Sequence, residues 1–246
     1  MANLMNHLKR SALVLLGFMT ISSPALWAKT PANQPISFYQ KKSVERLQRR
    51  IETGDPSAMN NLAQMYLLGM GPKKNAKMGF ELLHKAANLG HTRAQVNLAN
   101  LFFEGKILDR NYKLALKYYL MAAEDHEPEA FIKIGALYER GLGVVKNSRI
   151  ALEWYQRAAS QRNGDAMNAI GSLYERGRGV PRSYSEAYLW YTMGFHHQNA
   201  GSVNFRKGLF PKMTDEDKLQ YISRLEDQYG APADVIEMQY GPLLVP

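Results

Sequence analysis

The sequence contains no cysteine. Disulfide frameworks, thiol nucleophiles, thiolate metal sites and cysteine-borne lipid anchors are therefore excluded together. Histidine is scarce as well, and the adjacent pair His196 and His197 would diverge on a helix instead of chelating one ion. No H-E-x-x-H helix, G-x-S-x-G elbow or phosphate-cradling loop occurs. These absences predict a protein that holds no metal or cofactor and is not an enzyme.

Long hydrophobic runs are also lacking. The longest apolar stretch, SALVLLGFMTI, spans Ser11 to Ile21 and is shorter than the roughly 20 residues a membrane span needs. It follows Lys9 and Arg10 and precedes the small residues and Pro of SSPALWA, the layout of a secretory signal peptide. Cleavage is expected after Ala28, with Ala25 as the alternative. Residues 1–28 carry Lys9 and Arg10 and no acid, so the +9 of the whole chain becomes +7 for the mature form. That form is expected to be exported, to the periplasm or beyond it, with no membrane span. Its basic charge favours anionic partners such as an envelope surface through a salt-screened field. Nucleic acid is not expected, because the basic residues are scattered instead of gathered beside stacking aromatics.

What the sequence has in abundance is self-similarity. LYERGLGV at Leu137 to Val144 returns as LYERGRGV at Leu173 to Val180. A period of 36 aligns four copies without insertion, at 54–89, 90–125, 126–161 and 162–197. Ala58, Ala94, Ala130 and Ala166 recur, followed at i+4 by Leu62, Leu98, Ile134 and Ile170, and four further on by Tyr66, Phe102, Tyr138 and Tyr174. This spacing predicts one buried face of a helix, helix A. Gly69, Gly105, Gly141 and Gly177 end it where a left-handed residue is wanted, and Gly71, Gly143 and Gly179 let the chain reverse. Asn75, Asn111, Asn147 and Ser183 then open helix B as N-caps. Helix B carries Tyr118-Tyr119, Trp154-Tyr155 and Trp190-Tyr191, then alanine pairs, until Gly194-Phe195 marks the end of the regular stack.

Two helices per unit cannot bury an apolar face alone, so successive units must stack. The pattern A-x-x-x-L-[AG]-x-x-[YF]-x-x-G-x-G, then A-x-x-[WY]-[YF]-x-x-A-A, resembles the Sel-one-like repeat, a relative of the tetratricopeptide repeat, over residues 54–197. The implied fold is all-α, a right-handed α/α solenoid with flanking capping helices. Residues 29–53 are expected to be a linker and an N-terminal capping helix with Val44, Leu47 and Ile51 on its apolar side. Residues 198–230 are expected to hold C-terminal capping helices, one opening on a Thr214/Asp217 capping box with Leu219, Ile222 and Leu225 facing inward. An irregular tail is expected at 231–246.

The resemblance further implies that helix A lines a concave groove. Its register nominates Asn60, Gln64 and Leu67 from the first copy and Arg93, Asn100 and Phe103 from the second. Glu139 and Arg140 follow from the third, and Asn168, Glu175 and Arg176 from the fourth. Amides can both donate to and accept from a peptide backbone, while Leu67 and Phe103 would supply anchoring area. The doubled Glu-Arg pair is expected to be free to meet a ligand. The resulting expectation is a non-catalytic scaffold or adaptor for a protein or peptide, in envelope assembly, regulation or host interaction. Alternatives implied by the resemblance are a β-lactam-binding or hydrolysing enzyme, against which the missing cysteines argue, and a part of a periplasmic motor or export complex.

Overall fold

A computed structural model describes residues 36–240, apart from 71, 72 and 198. The signal peptide expected at 1–28, the second glycine of the first copy, Gly71, and residues 241–246 lie outside the described residues.

The described chain is helical throughout its regular segments. Helix α1 (Ile36–Glu52) precedes four hairpins, each an A helix and a B helix: α2 (Pro56–Leu68) with α3 (Ala76–Asn88), α4 (Thr92–Glu104) with α5 (Tyr112–Glu124), α6 (Pro128–Arg140) with α7 (Ser148–Ser160), and α8 (Gly164–Arg176) with α9 (Tyr184–His196). After them come α10 (Gly201–Leu209), a 3-10 turn, α11 (Asp215–Tyr229) and α12 (Ala233–Tyr240). Each hairpin packs within itself and on the next, α1 packs on α2, and α9 packs on both α10 and α11, while α2 also reaches α4. The architecture is an all-α repeat solenoid of four units of about 36 residues with flanking helices.

Local chemistry sets the ends of the elements. The glycines after each A helix adopt φ between 62° and 71°, a conformation that a side chain would strain. Asn75, Asn111, Asn147 and Ser183 accept N–H bonds from the first turn of each B helix, at 3.0 to 3.2 Å for the i+3 amides. Helix A starts are capped less uniformly: Asp55, His91 and Asn163 accept such a bond, whereas Glu127 makes none and is followed by Pro128.

The repeating apolar positions form the core. Leu62, Leu98, Ile134, Ile170 and their small neighbours Ala63, Ala99, Gly135 and Gly171 are buried. The small residue is needed where a tyrosine of helix B crosses: a Cβ on Gly135 would stand 2.6 Å from the Tyr155 ring, and one on Gly171 equally close to Tyr191. Leu47 of α1 closes the N-terminal end against Ala58 and Leu62.

Two C-terminal expectations change. Leu219 is exposed, and Tyr221 takes the inward place beside Leu225. The stretch expected to be an irregular tail is helical over Ala233–Tyr240, with Ile236 buried in the same cluster. Pro232 lies just before this helix, where its missing N–H costs nothing. The Thr214/Asp217 capping box is present, with bonds of 2.8 and 3.1 Å.

Candidate functional site

The four A helices have equal length and start at the same register, so equivalent side chains fall in rows that run from unit to unit. Polar side chains tie the rows together. Ser57 meets His91 at 3.1 Å, Asn97 donates to Asn60 at 2.8 Å, and Asn100 donates to Glu129 at 3.1 Å. Thr92 donates to Asp125, and Asn199 to Asp165. Between the first two units the surface opens into a cleft of about 480 Å³. Asn60 and Asn61 form one wall, the turn Leu89 to His91 another, and Thr92, Arg93 and Glu127 bring hydroxyl, guanidinium and carboxylate to its rim.

Several nominated residues serve the fold instead. Leu67 is 6% exposed and lies over Gly79 of α3, where a Cβ would come within 2.7 Å of its Cγ. It is a core side chain, not a groove anchor. Asn60 is 3% exposed, with Asn61 and Asn97 as its amide partners. Asn168 is 7% exposed because Gly194 lets α10 approach closely, and Ser202 donates to its Oδ1 at 2.8 Å. The Glu-Arg pair is split. Glu139 accepts from Tyr155 at 3.0 Å and pairs with Arg178 of the next unit at 3.4 Å. Glu175 accepts from Tyr191 at 2.9 Å and pairs with Lys212 at 2.8 Å. Neither carboxylate is free, whereas Arg140 and Arg176 are exposed and make no ion pair among the described residues.

Gln64, Asn100 and Phe103 are half-buried and Arg93 is exposed. Asn100 accepts from Tyr119 as well as donating to Glu129, and the Lys133 ammonium stands 5.6 Å from the Phe103 ring centre. Sequence reasoning missed the row Asn61, Asn97, Lys133, one residue beyond the nominated Asn60 and its period equivalents Val96 and Ile132, although it recurs at the same period. That row is half-exposed, while Asn60 and Val96 are buried.

The electrostatics follow from these contacts. Burial pushes the Tyr155 and Tyr191 hydroxyls up, and their carboxylate partners add to the effect, so both stay protonated donors. Burial would raise Glu175, but hydrogen bonds from Lys212 and Tyr191 outweigh it and hold the carboxyl below its usual range. Partial burial lowers His91, helped by Arg93, which keeps Nδ1 free to accept the Ala94 N–H at 3.1 Å. Among the described residues no group of three His, Asp or Glu could hold a metal ion, and no helix is long and apolar enough to cross a membrane. The arrangement can offer hydrogen bonds and charge to a ligand.

The family model described as Sel1 repeat matches residues 56–91, 92–126, 128–163 and 164–195, with each unit starting two residues after the sequence-based frame. A Sel1 repeat protein from Oxalobacter formigenes is 30% identical, with a TM-score of 0.61 over 71% of this chain and 73% of that one. A protective antigen present in uropathogenic Escherichia coli strains, with an SLR fold, is 24% identical with a TM-score of 0.66. That match covers 80% of this chain but 44% of the antigen, a likeness of fold. No curated protein matches the chain.

Proposed function

The chain belongs to the Sel1 repeat family, and we propose that it is an exported, non-catalytic scaffold binding a protein or peptide along the face of its A helices. The observation that carries this reading is the cleft between the first two units, which adjoins a row of half-exposed amides at Asn61, Gln64, Asn97 and Asn100. Amides in series suit an extended backbone, which presents donors and acceptors in alternation. Arg93 at the rim and Arg140 and Arg176 further along supply fixed positive charge for a partner's carboxylates. Export rests on the charged, apolar and small-residue order of residues 1–28, with the periplasm as the first destination.

The test combines affinity capture with partner identification, using the parent chain and an Asn61→Ala, Arg93→Ala, Arg140→Ala variant. The same partners should be recovered with the parent and lost with the variant at unchanged melting temperature. Equal recovery by both would reject the face. The N-terminal mass of the protein isolated from its native compartment tests export, and a retained Met1 would reject processing.

A further inference from the structure

The edge where each helix A turns into helix B is basic in every unit. Lys74, Arg110, Lys146 and Arg182 recur there at the 36-residue period, each exposed and one residue before the N-cap of helix B. Their aliphatic stems have a packing role, since they cover the glycines that end helix A; the Cβ of Lys146, for instance, lies 3.0 Å from where a Cβ on Gly141 would be.

A second set has no such explanation. Lys77, Lys113 and Arg149 stand exposed in the first turns of α3, α5 and α7, which contain no acid. The positive end of the helix dipole disfavours cations at that place. Folding therefore argues against these charges, and three units carry them.

The two sets form one continuous ridge because each turn rests on the unit before it. A Cβ on Gly143 would lie 2.9 Å from the Lys113 amide nitrogen, and one on Gly179 would lie 2.8 Å from that of Arg149. None of these cations takes part in an ion pair among the described residues. Of the acids nearby, Glu104 is held by Lys106 and Glu186 by Arg224, Glu81 and Glu153 lie a turn further along helix B, and Asp109 stands on the ridge itself.

Apolar side chains project among the charges. Val145, beside Lys146, is 88% exposed, and Met70 is 40% exposed ahead of Lys73 and Lys74. A soluble polyanion gives such tips nothing to enter, whereas a bilayer offers headgroups to the cations and an acyl boundary to the tips.

We propose that this A-to-B edge docks on an anionic phospholipid bilayer, so that the solenoid lies on its turns with the A-helix face left open. The proposal uses a different surface from the partner-binding face, and either can fail without the other. The chain from Lys29 onward, which contains the whole described fold, is sedimented with neutral phosphatidylcholine vesicles and with vesicles about one third phosphatidylglycerol. Binding is expected to the anionic vesicles alone and to weaken with salt. A Lys77→Glu, Lys113→Glu, Arg149→Glu variant should lose at least about a hundredfold in vesicle affinity, yet melt no lower than the parent, because acids suit a helix's first turn. Val145→Ser, at an exposed tip, should lower vesicle affinity without altering affinity for soluble polyphosphate. Unchanged vesicle binding by both variants would overturn the proposal. So would polyphosphate binding as tight as vesicle binding with no effect of Val145→Ser, which would make a soluble polyanion the occupant.

Discussion

Tyr155 of helix B donates a 3.0 Å hydrogen bond to Glu139 of helix A within the third unit, and Tyr191 repeats the relationship with Glu175 in the fourth. Each carboxylate then holds a cation from beyond its own unit, Arg178 in the fourth unit for Glu139 and Lys212, after the last repeat, for Glu175. The acid thus ties the inside of one repeat to the segment that follows it: for Glu139 the A-to-B turn of the next unit, for Glu175 the 3-10 turn after the last one. Tyr155→Phe should cost about 1.5–3 kcal/mol, the range for a hydrogen bond to a charged group. Urea unfolding should record this as a lower midpoint with an unchanged slope.

The close crossing of Gly135 and Tyr155 gives a prediction with a built-in control. Gly135→Ala places a methyl group 2.6 Å from the tyrosine ring and should destabilise by about 1–3 kcal/mol, as overpacking does. The first unit solves the same crossing with Ala63 and Leu83. Adding Tyr155→Leu to Gly135→Ala should therefore recover part of the loss in a thermal melt, and a double variant weaker than the single would contradict this account.

His91 makes stability depend on pH in a stated direction. Its folded-state affinity for protons is lowered, so its contribution is complete above the unfolded value near 6.5 and is lost as pH falls through the lower folded value. Protonation of Nδ1 removes the acceptor for the Ala94 N–H and places a cation at a helix start. Urea midpoints should decline from neutral pH downward in the parent. His91→Asn, which installs the cap used at Asn163, should flatten that decline, leaving the contribution of His196, which burial also lowers.

Leu67 separates packing from recognition. Leu67→Ala should cost about 2–5 kcal/mol, since it opens a void over Gly79. Arg93→Ala, at an exposed position outside the ion pairs described, should change the melting temperature little. Comparable losses in both would place Arg93 in the fold.

The fold was legible because its determinants are local and repeated. Caps, left-handed glycines and the i, i+4 apolar rows each act within one turn, so Gly141 and Asn147 announce their roles without knowledge of the neighbours. The site was less legible because its register depends on how units lean on one another. Whether Asn60 or Asn61 faces outward is decided by the next unit, where Asn97 reaches back to Asn60. Glu139 looked free since its two partners lie 16 and 39 residues away. A signal was present nonetheless: glutamate and tyrosine occur together as Glu139/Tyr155 and Glu175/Tyr191, whereas the second unit has Phe103 in place of the glutamate and its Tyr119 turns to Asn100. The helix at the C-terminus was hidden by Pro232, which reads as a stop but sits where a start tolerates it.

The partner of Glu175 is Lys212, which belongs to no repeat, yet it occupies the same role that Arg178 plays for Glu139. The joint is thus indifferent to whether a repeat or the 3-10 turn after the last repeat adjoins it, provided a cation arrives there. A gene encoding this chain could lose one period between Glu139 and Glu175, and Glu139 would then take the place of Glu175, with Tyr191 and Lys212 already there to meet it. Length is then a heritable variable, open to adjustment in whole steps without invention of a new contact.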